Sequence, residues 1–151
     1  MKKTGSSTGR LFRKSGRVPG EIPMREEASW WLKVAEKDMG RAELMFEVGD
    51  YEACVFWSQQ VVEFSLKALM LALGFSPPKT HNLIELYERV RDVLGPLDES
   101  LLSELTPYYS ASRYPNVFSG VPEVHEKTAE RFLRLAKEVL MRVERLMEES
   151  P

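Results

Sequence analysis

The sequence offers few of the residues from which metal sites and nucleophilic sites are usually built. It contains one cysteine, Cys54, and two histidines, His81 and His125. A single cysteine excludes an internal disulfide and a cysteine-rich zinc site, and the apolar stretch around Cys54 favours a buried thiol. Neither an HExxH motif nor a pair of ExxH motifs is present. These absences exclude the common metalloprotease and di-metal carboxylate sites.

Phosphate-binding loops and membrane segments are also missing. The nine glycines form neither a GxGxxG nor a GxxxxGK[ST] pattern. The longest unbroken apolar run extends from Ala68 to Leu73, which is too short to cross a bilayer. No secretory signal is visible. We therefore expect a cytoplasmic protein that does not contact a membrane.

Charge is distributed unevenly along the chain. Residues 1–20 carry six basic and no acidic side chains, whereas residues 21–151 carry 15 basic against 23 acidic, a net charge of −8. The composition of residues 1–23 predicts a basic flexible tail, or a start codon placed too early, with Met24 as the true start. Residues 24–151 form one predicted domain, whose acidity argues against a general nucleic-acid binder.

The stretch 50–74 predicts a helix at the centre of a bundle, because it is apolar on more than one side. Asp50 is a suitable N-cap, and Gly74 followed by Pro77 and Pro78 predicts the end. The apolar positions are Tyr51, Val55, Phe56, Val61, Val62, Leu66, Leu69, Met70 and Leu73.

The remaining pattern is helical throughout. It predicts a first helix from about Arg25 to Val48, a third from Asn82 to Leu94 and a short fourth capped by Asp98. A fresh turn follows Thr106 and Pro107, and a last helix ends near Met147. The fold class is all-α, an antiparallel, up-and-down bundle of four to five helices.

Two polar features interrupt the apolar surfaces of these helices. Gln60, Glu63 and Lys67 form a line along the central helix, three and four residues apart. Asp38 lies beside the apolar stripe of the first helix. It is either a partly exposed residue at the edge of the stripe or a carboxylate that holds a cation from another helix.

Three segments together resemble the HEPN family, the higher eukaryote and prokaryote nucleotide-binding domain. The run W-S-Q-Q-V-V-E-F-S-L-K-A-L is similar to the family's QA-x-E-K-x-x-K-A helix, although Phe64 replaces the usual Lys after the Glu. Thr80-His81-Asn82-Leu83 and Ser112-Arg113-Tyr114-Pro115 follow in the expected order. The resemblance covers about residues 26–148 and implies the same helical bundle.

The nuclease signature of catalytic HEPN members is absent from this sequence. That signature is an Arg, four to six residues, then a His. Neither His81 nor His125 has an Arg at the required offset, and Arg113 precedes His125 by twelve positions. We therefore expect no catalytic residue and no metal in this chain, and no ribonuclease activity.

The resemblance is to the SRYP-type branch, whose members are found beside minimal nucleotidyltransferases. It implies a non-catalytic partner of such an enzyme, in a toxin–antitoxin-like pair, with a nucleotide as candidate ligand and no other cofactor. The positions that match the family's binding surface are Gln60, Glu63, Lys67, His81, Arg113 and Tyr114.

Several of these positions also have a purely structural interpretation. Glu63 and Lys67 could be only an i,i+4 pair, His81 could cap the third helix, and Tyr114 could close the core. Arg113 is suited to forked phosphate contacts, but a buried pairing with Asp38 or Glu63 competes with that role.

Two alternative functions remain open on the sequence. One is a divergent ribonuclease toxin that uses Arg113 with His125 across a dimer, and the other is a structural dimerisation module. A homodimer is expected in each case, because Trp30 and Trp31 lie about 100° apart on a helix and cannot both face one core. A further aromatic group supports an interface: Tyr108, Tyr109, Tyr114 and Phe118.

Overall fold

The computed structural model describes residues 24–111 and 123–149, and all the regular structure in these ranges is helical. The elements are α1 (Met24–Glu47), α2 (Tyr51–Ala72), α3 (Leu83–Leu94), α4 (Glu99–Leu105), α5 (Tyr108–Ala111) and α6 (Glu126–Glu148). Helix α2 packs against α1, α6, α3 and α5. The prediction of an all-α bundle around the 50–74 stretch is confirmed.

The central position of α2 follows from its composition. Most of its side chains are buried, including Val55, Val61, Val62 and Leu66, which are fully inaccessible. Each such aliphatic side chain contributes roughly 1.5–3 kcal/mol when it leaves water. A helix with this many buried positions can only lie between other helices, and this explains why α1, α3 and α6 surround it.

Local signals determine where the helices begin and end. Asp50 Oδ1 accepts a hydrogen bond from the Ala53 amide at 3.1 Å, as expected for an N-cap. Gly49 has a φ of +82°, a left-handed conformation that glycine adopts without steric cost. The α1–α2 connection can therefore be as short as three residues, and the two longest apolar faces meet as an antiparallel hairpin.

Thr106 joins three helices at the end of α4. Its hydroxyl donates to the Leu102 carbonyl at 3.0 Å and accepts from the Leu83 amide at 3.1 Å. The bond to Leu83 satisfies a free amide in the first turn of α3. The side chain thus connects the start of α3 with the end of α4, and the Thr106 backbone carbonyl accepts from the Tyr109 amide of α5 at 3.5 Å.

Asp38 departs from both sequence interpretations. It is only 2% exposed, and the cation it holds comes from its own helix: Arg41 Nη1 lies 2.6 Å from Asp38 Oδ1. Burial raises the pKa of Asp38, and the Arg41 guanidinium opposes that rise. Arg41 also lies over the Trp57 ring of α2, 5.0 Å from its centroid. A residue one turn away can reach a buried carboxylate without any contribution from another helix.

The two adjacent tryptophans differ in burial, although their rings touch edge to face with centroids 5.0 Å apart. Trp31 packs against Phe64 of α2 with ring centroids 5.0 Å apart, whereas Trp30 remains 58% exposed. On α6, the i,i+4 pairs Glu130–Arg134 and Glu138–Arg142 form at 2.8 and 2.7 Å. None of the helices in residues 24–111 and 123–149 is long and apolar enough to cross a membrane.

Carboxylates from α1 and α6 meet where the two helices run together. A hydrogen bond with the Glu36 carboxyl, partial burial and the charges of Glu36 and Glu148 raise the pKa of Glu144 from 4.5 to about 7. The folded protein therefore keeps a proton that the unfolded chain releases near pH 4.5. This contribution to stability is complete below pH 4.5 and is lost as the pH rises through about 7.

We predict that Glu144→Gln reduces this pH dependence, because an amide can still donate to Glu36 and cannot ionise. Relative to the variant, the wild type should lose about 1 kcal/mol of unfolding free energy between pH 5 and pH 8, a value reduced for solvent screening. Thermal melts followed by circular dichroism across that range measure it, with Glu130→Gln on the exposed face of α6 as control. An equal response of wild type and Glu144→Gln to pH would contradict the shared proton.

Candidate functional site

Four side chains form a polar cluster between α2 and the loop that leads into α3: Gln59, Glu63, Lys67 and His81. The first three are spaced four residues apart, so they lie along one face of α2. Gln59 and Glu63 are buried, and the Lys67 side chain is 14% exposed. Lys67 is therefore mostly enclosed, and the cluster reaches the surface through His81, whose side chain is 52% exposed.

Glu63 lies at the centre of this cluster and accepts hydrogen bonds from three side chains. Lys67 Nζ lies 2.8 Å from Oε2, His81 Nδ1 lies 3.0 Å from Oε1, and Gln59 Nε2 donates to Oε1 at 3.1 Å. A buried carboxylate is costly unless donors satisfy both of its oxygens. The cluster meets that requirement with a charged lysine and two further N–H groups.

His81 is held in place at three points while half of its side chain stays exposed. Its Nδ1 faces Glu63, its backbone carbonyl accepts from Gln59 Nε2 at 3.4 Å, and its ring stacks on Tyr109 with centroids 4.2 Å apart and planes 15° apart. The side chain nevertheless keeps 52% of its surface in contact with solvent. The imidazole is thus oriented by the fold and still accessible to a ligand.

The alternative in which His81 caps α3 is wrong. Asn82 is the N-cap, and its Oδ1 accepts from the amides of Ile84 and Glu85 at 3.0 and 3.2 Å. With the cap already supplied by the next residue, the His81 ring is free to turn toward α2. The ring takes that orientation because its Nδ1 hydrogen-bonds to the buried Glu63 carboxylate.

The glutamine that bonds to Glu63 is Gln59 and not Gln60, which the sequence predicts on the polar line with Glu63 and Lys67. Gln60 is half-buried and lies about 100° further round the helix. The signal that could have identified Gln59 is the strict four-residue spacing of positions 59, 63 and 67. In the part of the chain that the structure describes, Gln59 Oε1 is a buried acceptor without a hydrogen-bond donor.

The other predicted site residues have different outcomes. Arg113 and Tyr114 lie outside the described residues. Tyr109 was expected only among the aromatic residues of a dimer interface, yet its ring covers one face of His81. His125 is the N-cap residue of α6, it is exposed, and its side chain makes no capping hydrogen bond. The two histidines therefore have very different surroundings.

Cys54 does not contribute a nucleophile. The side chain is fully buried, and that burial raises the pKa of the thiol to about 11. A thiol with such a pKa stays protonated near neutral pH, and only the thiolate is nucleophilic. The prediction of a buried thiol is confirmed.

Within residues 24–111 and 123–149, no group of three or more acidic, cysteine or histidine side chains is placed to hold a metal ion.

A second feature of this side of the molecule is a tryptophan face, formed by Trp30, Trp31, Trp57 and Phe64. Trp57 and Phe64 are two turns apart on α2, and Trp31 of α1 contacts Phe64. Its neighbouring polar groups already have partners: Arg41 pairs with Asp38, and the Trp31 indole donates to Glu27 at 3.4 Å. The face is thus aromatic. The Arg41 charge beside it is paired, whereas Glu27 keeps its negative charge, because the indole that donates to it is neutral.

Comparison with known proteins gives a consistent result. The HEPN domain family model matches residues 28–146. Among solved structures, TT1696 from Thermus thermophilus is 28% identical, with a TM-score of 0.68 over 79% of this chain and 97% of that one. ST0689, an archaeal HEPN homologue, is 27% identical, with a TM-score of 0.62 over 80% and 97% of the two chains. No curated protein matches the sequence.

Proposed function

As this chain belongs to the HEPN domain family, we propose that it is the non-catalytic partner of a minimal nucleotidyltransferase and binds the phosphates of a nucleotide or substrate. The proposal rests on one observation: buried Glu63 holds Lys67 and His81 together at the surface of the bundle. A lone surface i,i+4 pair would not bury its carboxylate or recruit a histidine from another segment.

The cluster has the donors that a phosphate group requires. An ammonium has three N–H donors, so Lys67 keeps two after bonding to Glu63 at 2.8 Å. Because Lys67 Nζ and His81 Nδ1 both contact Glu63 Oε2, the two side chains are neighbours that a single phosphate could approach. Holding them in place before the ligand arrives reduces the entropic cost of binding.

The two proteins would divide the work of nucleotidyl transfer. The nucleotidyltransferase would supply the catalytic carboxylates, and this chain would supply the surface that holds the nucleotide or the molecule to be modified. Such a division accords with a toxin–antitoxin-like pair of cytoplasmic proteins. Arg113, a residue type suited to forked phosphate contacts, and Tyr114 are further candidate contacts that the family resemblance implies.

We also propose that the chain forms a homodimer through the tryptophan face. Residues 21–151 carry a net charge of −8, so most surfaces of two copies repel each other. The tryptophan face offers aromatic area that offsets this repulsion: Trp30 is 58% exposed, and Arg41, which lies over the Trp57 ring, is paired with Asp38. Exposed aromatic residues with few unpaired charges are typical of protein interfaces, and two-fold pairing is the commonest arrangement.

The binding proposal predicts that Lys67→Met weakens ATP binding about tenfold, the effect of losing about 1.4 kcal/mol of interaction. The chain should still fold, because His81 Nδ1 also contacts Glu63 Oε2 at 3.1 Å, but it should melt at a lower temperature than the wild type, since the buried carboxylate loses its charged partner. Calorimetric titration with ATP, run beside a thermal melt, measures both quantities. Lys137→Met on α6 is the matched control, because its ammonium pairs with Glu43 at 3.1 Å. Identical titrations for wild type and Lys67→Met would rule out a phosphate site at this lysine.

The dimer proposal predicts a scattering mass about twice the 17.4 kDa of one chain. Trp30→Lys should shift the protein toward the monomer, since it places a charge where the indole is 58% exposed and would be buried in the interface. Met141→Lys, at an exposed apolar position of α6, is the control and should leave the mass unchanged. A wild type that remains monomeric at every concentration would exclude the shared face.

The non-catalytic assignment predicts that purified protein does not cleave RNA above background. No histidine has an Arg at the offset that the family's nuclease signature requires. The measurement is a gel assay on a labelled oligonucleotide, repeated after a second purification. Cleavage that survives repurification and disappears in His125→Ala would instead support the ribonuclease alternative.

A further inference from the structure

The imidazole of His81 is oriented in a way that the binding role does not require. A buried carboxylate faces its Nδ1, with both Glu63 oxygens within 3.1 Å, and an aromatic ring lies flat against it. A phosphate-binding histidine needs only a positive charge near the ligand. From this orientation we propose that His81 Nε2 is a nucleophile that accepts a phosphoryl group, so that the chain carries a phosphohistidine site.

The hydrogen bond to Glu63 determines which ring nitrogen is available. A carboxylate accepts a proton, so the neutral imidazole carries its hydrogen on Nδ1 and its lone pair on Nε2. Nε2 lies on the opposite edge of the ring, and within residues 24–111 and 123–149 it has no hydrogen-bond partner. With 52% of the His81 side chain exposed, that lone pair is accessible to a donor molecule in solution.

The neighbouring groups favour phosphoryl transfer to this nitrogen. As Nε2 forms its new bond, positive charge develops on the ring, and the Glu63 carboxylate at 3.0 Å stabilises it. The Lys67 ammonium lies on the Glu63 side of the ring, so it acts at longer range, as a positive charge that draws an anionic phosphoryl donor toward the cluster. The Tyr109 ring keeps the imidazole plane fixed, which reduces the entropy lost on reaching the reactive geometry.

The transfer balances without any redox partner. The lone pair of Nε2 attacks the phosphorus of a phosphoramidate or an acyl phosphate and forms an N–P bond. The bond from phosphorus to the leaving nitrogen or oxygen breaks, and its electron pair stays with the leaving group. Phosphoramidate reacts in its N-protonated form, so its –NH3+ group takes the electron pair of the broken P–N bond and departs as neutral ammonia. An acyl phosphate releases a carboxylate. The proton on Nδ1 remains hydrogen-bonded to Glu63.

Two other potential nucleophiles in the described part of the chain, Cys54 and His125, lack such activating neighbours. The Cys54 thiol is buried and its pKa is raised to about 11, so it stays protonated. His125 is exposed, but its side chain makes no capping bond, and no carboxylate of the described residues pairs with its ring. The chain therefore contains an internal reference: two exposed histidines, of which only one is paired with a buried carboxylate.

The test is to incubate the full chain with potassium phosphoramidate and follow each histidine separately. Because phosphohistidine is labile in acid, the protein is digested at alkaline pH, and the peptides containing His81 and His125 are quantified by mass spectrometry. We expect His81 to be phosphorylated about tenfold faster than His125, a difference of about 1.4 kcal/mol in activation free energy. Equal rates at the two histidines would overturn the proposal without any variant being needed.

Variants identify the groups responsible. Glu63→Gln and Lys67→Met should each lower the His81 rate toward that of His125 and leave the His125 rate unchanged. His81→Asn should abolish the faster phase, and Lys137→Met should have no effect. Should Glu63→Gln fail to fold, the wild-type comparison and Lys67→Met still decide the question. A His81 rate unaffected by Lys67→Met would refute the proposed role of the ammonium.

The outcome is separable from that of the proposed function. ATP titration tests reversible nucleotide binding, whereas phosphoramidate labelling tests a covalent reaction with a donor that contains no nucleoside. Selective labelling of His81 without ATP binding would support the phosphohistidine site alone. ATP binding with equal labelling of both histidines would overturn that site and leave the binding role intact.

Discussion

The burial of one carboxylate, that of Glu63, governs the arrangement of this side of the molecule. A charged oxygen pair inside a helical bundle is expensive, and the cost is offset only if donors meet both oxygens. Those donors come from two places: Gln59 and Lys67 on the same helix, and His81 on the loop before α3. A leucine at position 63 would fill similar space, but it would offer no hydrogen-bond acceptor to orient the His81 ring toward α2. The carboxylate therefore specifies a geometry more than it contributes stability.

Most of the fold could be predicted from local sequence patterns. The central position of α2 follows from apolar residues on more than one side of it, and the caps at Asp50, Asn82 and Asp98 lie where their side chains satisfy first-turn amides. These features depend on neighbours within four residues, so sequence spacing captures them. The bounds of α1, α2 and α3 consequently lie within one or two residues of the predicted positions.

The candidate site was less predictable, because its decisive contacts join distant segments. Glu63 and Lys67 were recognised from their spacing, but His81 and Glu63 are 18 residues apart in sequence. Only the family resemblance pointed to His81, and even then a capping role was an open alternative. For Asp38 the reverse holds: the sequence suggested a cation from another helix, whereas the partner is Arg41, three residues away on the same helix. Spacing shows which residues share a face and does not show what each face meets.

The hydroxyl of Thr106 has a mechanical consequence for the same region. It bonds to the Leu83 amide at the start of α3 and to the Leu102 carbonyl in α4, and α5, which carries Tyr109, follows directly. The loop bearing His81 and the helix bearing Tyr109 are thereby fastened to a common point. A displacement of either one must carry the other along or break a hydrogen bond worth about 1 kcal/mol. A molecule that displaces Tyr109 would thus also shift the first turn of α3. The displacement would pass through Thr106, whose side chain bonds to neither His81 nor Glu63.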